Sequence, residues 1–317
     1  MIDTVKIILL SKNLGHSWDL EEIKSRLRPF TKKGRKGYKP LGLIKNMTVT
    51  ATNDLLIVEG SLPTFYNGNS VENFSWKDIK PAIRLLSNEI GLPLERGTVG
   101  RIDVGINFEL DQNVTDYFQE LFFLRYFQRI DRHRTTLRFE NNSYSHHLLF
   151  YDKLKFSKRK LIEDVETIRY SHTHNLMRIE LQLQERVRQI LNLKELHVSD
   201  LFSPVVWKIL IKKWFDLYNS IYKKAISILP KNIKGMRDVD KWFRRDYIQM
   251  RGLPEVDYLL KKLVDSGSIS ASAKSKKLKQ YKIAMEDSSC FEYQHNTVEL
   301  NSKVKRMYVE ALKQIYK

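Results

Sequence analysis

Apolar residues recur along this chain with two periods, and the shorter one marks four stretches. Residues 99–108 turn Ile102, Val104, Ile106 and Phe108 to one side and Arg101, Asp103, Gly105 and Asn107 to the other, as side chains do on an extended backbone. Residues 135–140 set Leu137 and Phe139 against Arg138 and Glu140, and residues 146–153 set Leu148 and Phe150 against His147, Leu149, Tyr151 and Lys153. Residues 177–183 set Met177, Ile179, Leu181 and Leu183 against Arg178, Glu180 and Gln182. The pattern predicts strands of one sheet with an apolar face packed on helices. The other face is unusual, because exposed strand faces normally carry Thr, Lys or Glu. Here it collects acids, arginines, an amide, a lysine, a histidine and a tyrosine. Two readings follow: an active site, or a basic face with scattered ion pairs worth roughly 0–1 kcal/mol each.

Other elements frame these four. Residues 3–10 suit a buried first strand. Asp19 can cap a short helix carrying Leu20, Ile23 and Leu27, with Glu22 three residues after the cap and Pro29 as its stop. Residues 47–50 and 55–58 flank Asn53-Asp54 as a hairpin, and 60–69, rich in Gly and Asn, read as an ordered loop. A helix is expected from Asp78 to Gly91 with Pro81 in its first turn, and another over 114–127 capped by Asn113. Ser203 and Pro204 open a long amphipathic helix that Pro230 ends. After a linker at 231–235, helices are expected over 239–251, 254–264, 269–285 and 298–316. The whole predicts an α+β fold with a mostly antiparallel central sheet. It divides into a main domain, 1–230, and a helical C-terminal domain, 231–317.

Charge narrows the partners. Among 317 residues, 55 Lys and Arg face 37 Asp and Glu, a net charge of +18 with a pI near 9.7. This points to a polyanion bound through counterion release. No apolar run approaches the ~20 residues that span a bilayer, and the first residues lack the basic start and long apolar core of a signal peptide. Nucleic acid in the cytoplasm is therefore the expected setting, with no membrane partner. One cysteine, Cys290, excludes an intrachain disulfide and a thiolate metal cluster. The loop 31–39 carries Lys32, Lys33, Arg35 and Lys36 with two glycines and Tyr38; it suits phosphate contacts or simple solvation. Helices around Asp265-Ser266-Gly267, followed by Lys276 and Lys277 among other lysines, have the spacing of a helix-turn-helix or of a bundle with a solvated lysine face.

The candidate chemistry centres on Tyr151. A phenol with a pKa of about 10 is a poor nucleophile in water, but a nearby cation can activate it. Cutting a phosphodiester this way needs the phenol in line, a divalent cation on the phosphoryl oxygens, and basic groups for the developing charge. Asp103 and Glu180 offer oxygen ligands for Mg²⁺ or Mn²⁺. Lys153 shares the tyrosine's face, and Arg178 would orient Glu180 or touch DNA.

The chain resembles the replication initiation proteins of filamentous phages, the gene II type, and related plasmid proteins that start rolling-circle replication. The likeness covers residues 1–224. It rests on Met1-Ile2-Asp3, Gly60-Ser61-Leu62, Gly68-Asn69, Arg101-Ile102-Asp103, Tyr151-Asp152-Lys153, Arg178-Ile179-Glu180 and the leucine-rich 191–201. Each motif alone is weak; their order and spacing are fairly specific. The resemblance implies a sheet of the HUH-like or RRM-like nuclease palm type and a protein that nicks one strand of origin DNA. It further implies that the 5′ end stays on Tyr151, that a 3′ hydroxyl is left for a polymerase, and that a host helicase takes part. It implies Tyr151 and Lys153 as catalytic and Asp103 and Glu180 as metal ligands. Some plasmid relatives have a second acid where this chain has Asn107, so either Glu140 is the third carboxylate or the ion has only two. Arg101, Arg138 and Arg178 are candidate DNA contacts, with His147 and Asn107 as accessories.

Two rival readings remain. Other rolling-circle nucleases use a His-hydrophobic-His metal site and helical tyrosines, for which His172-Thr173-His174, Tyr218 and Tyr222 are candidates. Threonine is a poor central residue for that motif, and aromatic residues at helical spacing usually belong to a core. A non-catalytic DNA-binding protein, a repressor or partition factor, would also account for the charge.

Overall fold

The computed structural model describes residues 2–29, 41–72, 74–132, 135–141, 143, 145–155, 175–227, 234–286 and 291–315. The basic loop 31–39 and the triplet 172–174 lie outside the described residues. The chain begins with β1 (Ile2–Leu10), α1 (Leu20–Ser25), β2 (Gly42–Ile44), β3 (Met47–Ala51) and β4 (Leu55–Ser61). It continues through α2 (Leu62–Asn67), α3 (Trp76–Ile90), β5 (Thr98–Leu110), α4 (Val114–Phe118), β6 (Leu121–Leu124), β7 (Phe127–Arg132), β8 (Thr136–Asn141), β9 (His146–Asp152) and β10 (Asn175–Leu183). Then come α5 (Val187–Ile190), α6 (Pro204–Asn219), β11 (Ile221–Lys223) and β12 (Ala225–Ser227). The chain ends with α7 (Met236–Arg251), α8 (Leu253–Asp265), α9 (Ala271–Glu286), β13 (Phe291–Tyr293) and α10 (His295–Lys313).

Among the described residues nine strands form one sheet in the order β2-β3-β4-β1-β5-β10-β9-β8-β7, and every neighbouring pair is antiparallel. The four strands expected from the alternation, β5, β10, β9 and β8, are contiguous in it. Their apolar residues, Ile102, Val104, Ile106, Leu137, Leu148, Phe150, Ile179 and Leu181, are fully buried in a core shared with Ile79, Ile83 and Leu86 of α3 and Trp207, Leu210, Ile211 and Trp214 of α6. Each such side chain contributes about 1.5–3 kcal/mol by leaving water. The α+β architecture with an antiparallel sheet packed on helices is thus the one the pattern predicts.

Caps act where the sequence offers them. The Asp19 carboxylate accepts from the N–H of Glu21 and Glu22, and Ser203 Oγ accepts from Val205 N with Pro204 in the first turn, satisfying donors that the first helical turn leaves unpaired. α3 starts earlier than expected, because Ser75 and Asp78 make a capping box that leaves Pro81 inside the helix.

Three expectations are corrected. Residues 60–69 form not a loop but the end of β4 and then α2, capped by Ser61 and stopped by Gly68 at φ +83°. The helix expected over 114–127 stops at Phe118; the apolar run Leu121–Leu124 becomes β6 and pairs with β11. The helix from Pro204 ends at Asn219 rather than at Pro230, and the chain turns into β11 and β12.

The segment 231–317 is split. α7, α8 and α9 pack on one another, and β12 and β13, on either side of them in the chain, pair antiparallel with Ala225 opposite Tyr293. α10 instead joins the main body: Leu300, Val304 and Ala311 enter the core, Tyr308 stacks on Phe215 of α6 at 4.0 Å, and Trp207 Nε1 donates to the Ala311 carbonyl at 3.1 Å.

Candidate active site

The polar face of the sheet lines a cleft of about 600 Å³, walled by residues of β1, β3, β4, β5, β8, β9, β10 and the turn 68–71. Register explains which side chains meet there. Asn107, Arg178, Tyr151 and Thr136 stand opposite one another across β5, β10, β9 and β8; Gly105, Glu180, Leu149 and Arg138 form the next row; Asp103, Gln182, His147 and Glu140 the third.

Tyr151 is 6% exposed, and its hydroxyl donates to Glu180 Oε2 at 2.9 Å. Burial, and then the Glu180 charge, pushes its pKa well above the usual value, although Arg178 pulls the other way. Glu180 is held from both sides: Arg178 Nε donates to Oε2 at 3.1 Å, and Gln182 Nε2 donates to Oε1 at 2.6 Å.

Arg178 is the hub. Its guanidinium also reaches Asp3 Oδ2 at 2.7 Å, Asn107 Oδ1 at 2.9 Å and the Ser70 carbonyl at 3.4 Å. Gly105 makes this possible, since a Cβ there would lie 2.7 Å from Arg178 Cζ. Burial works against the charge, but Asp3, Tyr151 and Glu180 outweigh it, and the guanidinium is held more firmly protonated than usual. Arg178, expected to orient Glu180 or to touch DNA, is 3% exposed and bonded to these partners.

Asp3 comes from β1, where the register slips between Ile2 and Val5. A bulge of this kind re-aims a side chain, and it turns Asp3 toward Arg178. Ser61 Oγ donates to Asp3 Oδ1 at 2.6 Å. Burial would raise Asp3, yet Arg178, Lys153 and Ser61 together hold it below the ordinary value.

Asp103 is fully buried and takes a two-pronged contact from Arg101, Nε to Oδ1 at 3.0 Å and Nη2 to Oδ2 at 2.6 Å; Arg101 Nη1 also reaches Glu59 at 3.1 Å. Burial, followed by the facing charges of Glu180 and Asp3, pushes Asp103 well above the usual carboxylate range despite Arg101. Lys153, expected beside the phenol, donates to Ser70 Oγ at 2.7 Å and fixes the turn that forms the cleft wall. Asn107 Nδ2 bonds the carbonyls of Ser70 and Val71 in the same wall.

The acids do not all converge. Asp103 and Glu180 lie close enough to repel, but Glu140 occupies Asp103's row three strands away, roughly 14 Å at the usual strand spacing, and lies outside the cleft lining. It cannot share one ion with Asp103. It lies instead 3.6 Å from Arg138 Nη2 and 3.9 Å from Nδ1 of His147, whose pKa burial and then Arg138 lower. Among the described residues the group of three acid or histidine ligands within mutual reach is Asp111, His295 and Glu299, away from this cleft. There Lys303 Nζ already bridges Asp111 and Glu299, filling a cation's place with an ammonium.

The cleft holds oxygen donors of the kind a divalent cation takes. Asp3, Glu59, Asp103 and Glu180 face Arg101, Arg178 and Lys153, and the buried pair Asp103 and Glu180 repels.

The rival tyrosines are elsewhere. Tyr218 is fully buried in the helix-packed core, donating to Asn301 Oδ1 at 2.8 Å, and Tyr222 lies half-buried on β11; they do not share a helical face. Of the tail lysines, Lys276 is exposed and Lys277 lies half-buried on α9, its ammonium 5.4 Å from the Tyr281 ring. Reading the sequence alone missed Asp3, Glu59, Ser61 and Ser70 as cleft residues. Only the Met1-Ile2-Asp3, Gly60-Ser61-Leu62 and Gly68-Asn69 motifs pointed their way.

Fold and site together define an α+β protein whose open sheet face carries a phenol in a buried charge network. Residues 31–203 match the family model that describes the N-terminal part of the replication-associated gene II protein. The chain belongs to that family, the one its motifs resemble. It is also similar to the solved structure of a rolling circle replication initiator protein from Geobacillus stearothermophilus, at 15% identity and a TM-score of 0.37, over 75% of this chain and 89% of that one. No curated protein matches the chain. No helix among the described residues is long and apolar enough to cross a membrane.

Proposed function

We propose that the protein initiates rolling-circle replication by nicking one strand of origin DNA through Tyr151 and later re-joining it. The observation that carries this reading is the Tyr151 hydroxyl in the cleft wall, hydrogen-bonded to Glu180 at 2.9 Å, in a chain of the replication-associated gene II protein family. The phenolic oxygen attacks phosphorus as its proton passes to Glu180, and the bond from phosphorus to the 3′ oxygen breaks. The 5′ phosphate stays on the tyrosine, and the 3′ oxygen takes a proton from water to become the primer hydroxyl for a polymerase, with a host helicase opening the duplex ahead. Glu180 holds the phenol by its proton, and Arg178, braced by Asp3 over Gly105, holds Glu180. Arg101 and Lys153, on the cleft wall, are the cations for the phosphate. Mg²⁺ or Mn²⁺, held by Asp103 and Glu180, would polarise the phosphoryl oxygens. Arg138, the loop 31–39 with Lys32, Lys33, Arg35 and Lys36, and Lys276 and Lys277 of the tail are proposed contacts to the flanking DNA.

The test is incubation with single-stranded origin DNA and Mg²⁺ or Mn²⁺, followed by a denaturing gel. An adduct with the wild-type protein and none with Tyr151→Phe is expected. An adduct that survives Tyr151→Phe but disappears in Tyr218→Phe sinks the assignment. No adduct with cognate origin DNA favours a binding protein without catalysis.

A further inference from the structure

The turn between β6 and β7 carries a feature that the nicking reaction does not use. Tyr126 is 67% exposed, the greatest exposure among the described large hydrophobic residues of the main body, and Phe122 on β6 is 43% exposed. Tyr126 adopts φ +68°, a left-handed conformation that is rare for a bulky side chain and costs about 1 kcal/mol or more. The guanidinium of Arg125 lies 4.6 Å from the centre of the Tyr126 ring. Here an aromatic face, an adjoining cation and a second aromatic are presented to solvent, although none is needed to complete the core.

We propose that Tyr126 and Arg125 form a stacking platform for an unpaired base of single-stranded DNA next to the nick. The inference rests on the proposed nicking function for the identity of the strand. The chemistry of the platform selects its ligand. An aromatic face backed by an arginine stacks bases of any sequence and pairs with the phosphate beside them, and the chain's charge of +18 favours a polyanion.

Position supports the same occupant. Thr136, at one end of β8, stands opposite Tyr151, and Asn141, at the other end, stands opposite Phe127, the residue after Tyr126. The five residue steps of β8 span roughly 17 Å, a distance of a few nucleotides. Between them Arg138 lies on the cleft face. A strand leaving Tyr151 along β8 passes this arginine and arrives at the platform.

Equilibrium binding to Tyr151→Phe protein tests this without relying on cleavage. The probe is a single-stranded oligonucleotide of origin sequence carrying 2-aminopurine at successive positions beside the nick. In the parent, fluorescence should be quenched at one or two positions. Tyr126→Gly, which relieves the backbone conformation and so preserves the fold, should abolish that quenching and weaken binding by roughly 5- to 100-fold. Tyr126→Trp should retain both, and affinity for blunt duplex should not change. Unchanged affinity and quenching in Tyr126→Gly overturns the platform. Weaker binding in Arg125→Ala with none in Tyr126→Gly also overturns it, leaving a plain charge contact. A parent protein that binds no single strand fails the nicking reading itself, which the adduct assay tests separately.

Discussion

Tyr151 and Arg178 stand directly opposite each other on β9 and β10, yet they meet through a third group: both donate to Oε2 of Glu180, at 2.9 and 3.1 Å. One carboxylate oxygen thus fixes the phenol and the guanidinium at once. Any change at Arg178 therefore reaches the tyrosine through Glu180.

Replacing Arg178 with methionine keeps the volume but leaves Asp3 and Glu180 buried without their shared cation. Breaking a buried pair in this way costs about 3–5 kcal/mol, so the midpoint of urea unfolding should drop markedly and adduct formation should vanish. Arg178→Lys should recover part of the stability but little of the activity, because an ammonium cannot reach Asp3, Glu180 and Asn107 in one plane.

Gly105→Ala is a smaller change with the same target. Its methyl would lie 2.7 Å from Arg178 Cζ, so the guanidinium has to move. Overpacking of this kind costs about 1–3 kcal/mol. Thermal unfolding should register that loss, together with a fall in adduct yield. A Gly105→Ala protein with wild-type nicking would show that the Arg178 clamp is dispensable.

Stability should depend on pH through Asp103. Its folded pKa is raised, so between the unfolded value near 4 and the folded one the native state binds more protons than the unfolded state. Stability then falls as pH rises through that window. The melting temperature of the wild type relative to that of Asp103→Asn should therefore descend across it. Mg²⁺ should lift the wild-type melting temperature on the alkaline side and leave Asp103→Asn unmoved.

His146 acts at the acid end with the opposite sign. Burial, then Lys213 and His147, lowers its pKa to about 4. The unfolded chain binds the extra proton first, so this contribution is complete above about pH 6.5 and is lost as pH falls through 4. His146→Phe should flatten the stability profile between those two values. An unchanged acid limb in that variant would rule His146 out as its source.

The site was legible where one strand carried its own evidence. β5 shows apolar and polar residues in strict alternation from Arg101 to Phe108, β10 does the same from Met177 to Leu183, and β9 breaks it only at Leu149, so Asp103, Tyr151 and Glu180 could be put on one face. What could not be read is how far apart residues of different strands lie. Glu140 has the same local pattern as Glu180, but only strand order shows it three strands from Asp103. Asp3 was hidden by a register slip, which local alternation cannot reveal. Ser70 contributes a carbonyl as well as a hydroxyl, and a backbone acceptor leaves no trace in side-chain chemistry. The helix expected across Leu121–Leu124 failed because that apolar run finds a partner strand, β11, about a hundred residues away.

β12 and β13 bring the entrance and exit of the three-helix segment side by side, while α10, beyond it, completes the core of the main body. Residues 234–286 are therefore a detour whose two ends are already stitched together. Changes in the length of this excursion should be tolerated, whereas cutting the chain at the detour's start removes α10 and strips cover from Trp207 and Phe215. A shortened protein should therefore keep its fold better as a splice from β12 to β13 than as a truncation.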